Sequence, residues 1–393
     1  MNGSCDLSSQ VSILIPTINR SLFVIRALHF YKAMGFKGWV CVGDSSGTDE
    51  FCRTQEQVNN LSGTLNIIHK YFPTVDYPNE ATVVKSLVAL APTRFVCQYG
   101  DDDFLIPSGI VECVQFLNQN EAYIGACGRT RIEFTLQGNS LFFGEIGETV
   151  RVDENDFDKE SAKDRFMTYM RNAVAPTYNV YRKEVFEEMY KCTDIAITRY
   201  FGPEVLVSAI AALVGKTKCL NVFTVMFQVH EHHIFGWNRQ SIYDKVVDPT
   251  FSSSITVLRE QFVDHLIAQD GLSRDESIEI VDRELWRHIN KMMSWQYKEK
   301  YSHESSVQKP FSMEVIKRLP GISVPVEVSL FGFYWWIRKL LRKYISRQSN
   351  RRYCVENLGS LGSIYLKDYS FLSNYLLAPP APLVGLYNKI DKG

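Results

Sequence analysis

Arg94-Phe95-Val96-Cys97-Gln98-Tyr99-Gly100-Asp101-Asp102-Asp103 changes character in mid-stretch, from a short apolar run to three consecutive carboxylates. The first half has the composition of a buried strand, and the second half is what a strand end carries when it opens onto solvent or a ligand. On its N-terminal side, residues 81–91 place apolar side chains at helical spacing and stop at Pro92; on the other side Pro107 opens a second helical stretch to 118. Further upstream the pattern repeats. Residues 11–16 (VSILIP), 39–42 and 65–68 read as strands, and 22–34 and 49–61 as helices. Four strand–helix alternations in about one hundred residues predict a mostly parallel sheet with helices on both faces. In such sheets ligands bind outside the carboxyl ends of the strands. The polar clusters 17–20, 43–49 and 100–103 all follow strands, so they are expected to meet at one edge.

Composition bounds the rest. The chain has 393 residues, 45% of them apolar and 22% charged, with a formal net charge of −1. That is enough chain for a large domain plus an addition, and there is no basic field or polybasic tail to suggest nucleic acid. Nine cysteines are scattered without a CxxC pair, several inside apolar runs, which suits buried reduced thiols better than a disulfide framework or a zinc site. Residues 1–10 lack the apolar segment of a secretion signal, and no apolar run reaches membrane-spanning length. The expectation is a cytoplasmic protein, peripheral on the inner face of the membrane if it touches one.

After residue 123 the pattern changes. Residues 132–143 read as a hairpin turning at Gly138-Asn139, 152–163 as an acidic loop, 201–214 as a helix closed by Gly215, and 219–230 as a strand. Beyond about 250 the chain reads as helical, clearest at 255–269 and 274–293. The expected division is a catalytic domain over 1–250, its donor half at 11–122 and acceptor half at 123–250, followed by a helical region over 251–393.

The acidic triplet fits a hard divalent cation, since Mg²⁺ or Mn²⁺ is typically held by one or two carboxylates together with substrate phosphates. It equally fits a solvated loop capping the helix that starts at Pro107. Asp44, at the tip of the second strand, fits either an acceptor for a ribose hydroxyl or base N–H, or an ordinary turn. His230-Glu231-His232-His233 follows the strand at 219–230; on an extended segment residues 230 and 232 share a side.

Taken in order, Pro16-Thr17-Ile18-Asn19-Arg20, Gly43-Asp44-Ser45-Ser46-Gly47-Thr48-Asp49 and Tyr99-Gly100-Asp101-Asp102-Asp103-Phe104-Leu105-Ile106-Pro107 resemble the family 2, GT-A type glycosyltransferases over roughly residues 11–235. The resemblance implies a Rossmann-like α/β sheet, a nucleotide-sugar donor with a lean to UDP, a divalent cation (Mn or Mg), and an inverting transfer. It implies that Pro16, Thr17, Asn19, Arg20 and Asp44 hold the nucleoside. Asp101 and Asp103 would surround the ribose, diphosphate and metal, Asp103 being the first-choice ligand. Asp102 belongs to the same donor-binding run without an individual role. The family's acidic pair at the start of a helix corresponds to Pro203-Glu204, which makes Glu204 the expected base. His230, then His232, are the expected additional metal ligands. Acceptors in the family are carbohydrates or lipid-linked saccharides, and the aromatic and basic stretch at 330–352 suits peripheral membrane contact. Two other readings stand beside this one. A nucleotidyltransferase would need a Gly-rich phosphate loop after the first strand, which 17–20 lacks. A non-catalytic scaffold of the same fold is favoured only by Pro203, which replaces an acid.

Overall fold

The computed structural model describes residues 7–77, 79–138, 141–172, 178–191, 205–230, 246–304, 363–380, 383–384 and 386–387. Expected features at Glu204, at His232 and at 330–352 lie outside them. The opening half follows the predicted alternation: β1 (Val11–Thr17), α1 (Ser21–Ala33), β2 (Trp39–Asp44), α2 (Thr48–Leu61), β3 (Asn66–Tyr71), α3 (Glu80–Leu90) and β4 (Phe95–Gln98). β1 lies between β2 and β4, and β3 lies outside β2, all parallel. Apolar β-branched runs bounded by Pro16 and by the polar turn after Asp44 explain why these strands form and stop where they do.

The second half builds the other side of the sheet from β5 (Phe104–Leu105), β6 (Tyr123–Leu136), β7 (Ile146–Asp153), β8 (Val180–Arg182) and β9 (Lys216–Gln228). The order across the sheet is β3-β2-β1-β4-β8-β6-β9-β5, with β7 paired to the outer part of β6. β6 and β9 run parallel; β8 and β5 join antiparallel. The chain therefore has a mixed α/β fold, a large sheet flanked by helices, with helices dominating its C-terminal part.

Two apolar layers cover the sheet. On one face lie α1, the end of α2, α4 (Pro107–Gln119) and the segment α10 (Ser363–Leu377) with Leu383 and Tyr387. On the other lie α3, α5 (Ala162–Asn172), α6 (Lys183–Tyr190), α7 (Val207–Val214), α8 (Phe251–Asp270) and the long α9 (Arg274–Glu304). Pro at the first position of α4 suits a helix start, where its missing N–H costs nothing. Gly109 is required by packing: a Cβ there would lie 2.1 Å from the Phe223 carbonyl oxygen of β9.

The predicted hairpin is displaced. Gly138 takes the left-handed turn conformation at φ 69°, but the returning strand is Ile146–Asp153 rather than the residues up to 143. The intervening aromatics have better partners elsewhere. Phe142 packs on Phe23 of α1 at 4.6 Å and on Tyr387 at 4.8 Å, and Phe143 on Tyr387 at 4.9 Å. The acidic loop after β7 is strapped to β9, with the Cys219 N–H donating to Asp156 Oδ1 at 2.7 Å. α7 is described over Val207–Val214, and residues 201–204 of the predicted helix lie outside the described residues; α5, α6, β5 and β8 were not expected from periodicity because each is short or polar.

Candidate active site

The register of β1 and β2 sets Thr17 beside Asp44, and β4 on the other flank of β1 leads into residues 100–103. Three strand ends thus deliver the three polar clusters to one edge, as the alternation predicts. Between them the loops are stitched by short bonds. Ser45 N–H donates to Thr17 O at 2.9 Å, Asn19 N–H to Ser46 Oγ at 2.7 Å, and Gly47 N–H to Asn19 Oδ1 at 2.9 Å. Asn19 holds φ 53°, a left-handed conformation that asparagine tolerates better than most residues. Beside this seam, Gly47, Thr48, Asp49, Glu50 and Arg53 line an open notch at the start of α2. Ser21 donates to Glu50 Oε2 through N–H at 3.0 Å and through its hydroxyl at 2.5 Å, closing the seam from the α1 side.

Asp44 forms the floor of the seam. It is fully buried; its Oδ1 accepts the Ser46 N–H at 2.9 Å, and its Oδ2 lies 3.1 Å from His69 Nε2. The other His69 nitrogen meets Gln55 Oε1 at 2.8 Å, and Phe51 stacks on the ring at 4.5 Å. No feature of the sequence marked His69, which reaches Asp44 only because β3 pairs with β2.

Arg20 organises the acidic run. One guanidinium nitrogen is 2.8 Å from Asp101 Oδ1 and the other 2.7 Å from Asp102 Oδ2, with only 11% of the arginine side chain exposed. Its guanidinium also sits 4.3 Å over the Phe23 ring. Burial opposes the charge on Arg20, but Asp101 and Asp102 outweigh burial and hold its pKa above the ordinary value. Asp101 also accepts the Thr17 hydroxyl at 2.7 Å. Burial, and then the neighbouring Asp102, push Asp101 up to about 7 against the opposing pull of Arg20 and Thr17.

Asp102 and Asp103 have different partners. Asp103 begins the turn into β5, and pairing of Phe104 with Met226 draws its carboxylate toward the end of β9. There Oδ1 accepts the Gln228 N–H at 3.0 Å, and Tyr178 Oη lies 3.4 Å from Oδ2. Burial, and then Asp102, drive its pKa well above the carboxylate range. Asp102 instead faces Arg20 and His230, whose Nε2 is 3.0 Å from the same Oδ2. The His230 ring stacks on Phe23 at 5.2 Å. Arg26, unforeseen, carries the turn from beneath. It is fully buried, donates to Asp102 O at 2.8 Å and to Phe142 O at 2.9 Å, and lies 4.7 Å over Phe104. A charged residue amid the apolar run Phe23-Val24-Ile25-Arg26-Ala27-Leu28 was the signal available for it. Arg129 and Arg131 are committed to acids of their own surroundings, Asp156 at 3.1 Å, and Glu133 and Glu154 at 3.0 and 3.2 Å.

The chemistry of the donors decides whether a divalent cation fits. Among the described residues no group of three or more His, Cys, Asp or Glu side chains is arranged to hold one. A cation that also takes phosphate oxygens needs only one or two protein ligands. Asp102 Oδ2 and His230 Nε2 form such a pair, provided Arg20 yields its bond to the same oxygen. Asp103, as buried as Asp102, is engaged by the Gln228 N–H and lies beside Tyr178 Oη.

No family model matches the sequence, and no curated protein does. Among solved structures, the chain is similar to S. aureus TarS 1–349 in complex with UDP-GlcNAc, at 16% identity over 72% of this chain and 73% of that one, with a TM-score of 0.47. It is also similar to the mannosyltransferase PcManGT from Pyrobaculum calidifontis in complex with GDP-Man and Mn²⁺, at 10% identity over 78% and 83% of the two chains, with a TM-score of 0.38.

Proposed function

We propose that this chain is a glycosyltransferase that moves a sugar from a nucleoside-diphosphate sugar to a hydroxyl of a carbohydrate or lipid-linked acceptor. The convergence of Arg20, His230 and three buried carboxylates at the ends of neighbouring strands carries this reading, because an open α/β sheet binds its ligand there. The ordered family 2 motifs support it.

In this reading the nucleoside lies along the seam of Pro16, Thr17, Asn19 and Arg20 and the notch at Gly47–Arg53, with Asp44 shaping the floor beneath. Thr17, bonded to Asp101, holds that carboxyl toward the ribose. The diphosphate lies over Arg20 and His230, two groups that balance its charge. A divalent cation, Mn²⁺ or Mg²⁺, would be held by Asp102 and His230 and would stabilise the departing diphosphate. Arg26 fixes the backbone of the turn through Asp102 O, so the carboxylates do not have to be reorganised during the reaction. Glu204 is the proposed base. Inversion follows if it removes the acceptor proton on the face opposite the leaving group.

A thermal-shift screen of nucleotides and sugar nucleotides, with and without Mn²⁺, tests the reading. A ligand that binds the native state raises the melting temperature by mass action. A shift with at least one sugar nucleotide, and release of nucleoside diphosphate during turnover, are expected. Release of pyrophosphate would identify a nucleotidyltransferase instead, and no shift with any member of the screen would refute the donor site.

A further inference from the structure

The face of α9 turned away from the sheet is built for a different partner. Val281, Leu285, Ile289 and Met292 are buried in the apolar layer. Arg283, Trp286, Arg287, Asn290 and Lys291 are exposed and fall within one arc of the helix, at spacings of three, four and seven residues. Within this stretch the acids are Asp282, which is paired with Arg259 of α8, and Glu284, which is buried. Its carboxylate takes three guanidiniums: Arg287 at 2.8 Å, Arg171 from the end of α5 at 3.1 Å, and Arg283 at 3.2 Å. Lys291, one turn on, donates to the carbonyl of Arg171 and, at 3.1 Å, to that of Asn172.

Three guanidiniums therefore share one internal carboxylate with Lys291 beside them, so four positive charges stand against the single negative charge of Glu284. Glu279, highly exposed and 3.6 Å from Arg283, flanks it on one side, and the charge of Asp164 reaches Arg171 on the other. Glu284 pins three guanidiniums that are each still more than 40% exposed, so their remaining N–H groups face outward in fixed positions. The chain as a whole carries a net charge of −1, so this face is a local feature and not part of a general basic field. Trp286 sits among the cations with half its surface exposed. A tryptophan and fixed cations on a convex helix match the boundary of an anionic bilayer, where the ring lies at the headgroup level and the cations meet phosphates.

We infer that this face of α9, with Arg171, docks the protein on an anionic lipid surface. Among the described residues no helix is long and apolar enough to cross a membrane. The surface lies elsewhere in the sequence than the basic and aromatic stretch at 330–352 and does not depend on the proposed transferase reaction.

The test is co-sedimentation of the full chain with phosphatidylcholine vesicles, alone or with about three-tenths phosphatidylglycerol. Each basic residue near an anionic surface is worth about fivefold in binding. Native protein is expected to prefer the anionic vesicles by more than about tenfold and to lose that preference in high salt. Lys291→Gln combined with Trp286→Ala leaves every guanidinium on Glu284 in place, so folding is preserved. It should weaken anionic-vesicle binding by at least about fivefold while the protein still unfolds in one cooperative transition. Equal binding to both vesicle types overturns the proposal. So does native-like binding by the double variant, which would move the contact elsewhere on the chain. Tighter binding to soluble polyphosphate than to vesicles would make the partner a polyanion and overturn it as well. Sugar-nucleotide binding, measured separately, is expected to be the same in the double variant and the native protein.

Discussion

Arg20→Gln removes a guanidinium that bridges Asp101 and Asp102 at 2.8 and 2.7 Å in a place with little solvent. Breaking one side of a buried ion pair typically costs about 3–5 kcal/mol, because the remaining charge is left uncompensated. That cost depends on pH here. Asp101 already titrates near 7 in the folded protein rather than at 3.8. Between those values the folded state holds a proton that the unfolded state has lost, so this group makes stability fall as pH rises from about 4 through 7. Without Arg20 the folded pKa of Asp101 moves higher still, and the fall continues above 7. Near pH 5.5 the protonated Asp101 needs no countercharge, and His230 remains beside Asp102, so the penalty should be about 1–2 kcal/mol, the scale of a charge-assisted hydrogen bond. Near pH 8.5 it should approach about 3–5 kcal/mol. Urea midpoints of native and variant protein at pH 5.5, 7 and 8.5 measure the difference. A penalty that is constant, or that shrinks as pH rises, would refute the view of Arg20 as countercharge to a reluctant carboxylate.

In the same variant Mn²⁺, followed by electron paramagnetic resonance, should bind roughly tenfold more tightly, since the cation no longer competes with a charge-assisted bond to Asp102. Asp102→Asn should abolish that binding, whereas Asp103→Asn should leave it within about threefold, since the Asp103 oxygens are already engaged by the Gln228 N–H and Tyr178 Oη; equal losses in both would reverse the roles given to the two residues. Glu204→Gln should abolish transfer while donor binding stays near normal, and retained turnover would remove Glu204 from the base role. Gly109→Ala should destabilise by about 3 kcal/mol or more in denaturant melts, because the new methyl meets the backbone carbonyl of Phe223; a neutral result would mean that α4 and β9 separate easily.

What could be read from the sequence was whatever repeated with a period. β1 to β4 and α1 to α4 follow from apolar alternation and the turn residues between them, and so does the meeting of three polar clusters at one edge. What could not be read came from contacts between distant segments. The partners of Asp103 are one case, because sequence spacing cannot show that β5, two residues long, pairs with β9 and brings Asp103 to Gln228. His69 and Tyr178 are separated from their acidic partners by 25 and 75 residues and carry no local mark. The hairpin was misplaced because Phe142 and Phe143 leave the strand pattern to pack on α1, Tyr375 and Tyr387. Arg26 was legible in principle, as a charge on the apolar side of α1, but only the structure shows that it serves the turn at Asp102.

The same helix α1 has one further support. Tyr375 donates to Arg26 O at 3.0 Å, Tyr387 donates to Leu22 O, and Ser108 at the start of α4 bonds Asp368. The carboxylate turn and the segment that braces its helix are thus some 260 residues apart in order of synthesis. At translation rates of about 5–20 residues per second, a ribosome needs roughly 13–50 s to cover that distance. For that interval the strand ends and their acids have left the ribosome while the brace does not yet exist. The nascent chain would carry the pieces of the site before it has the clamp that sets α1, which delays completion of the site until the bracing segment has been made.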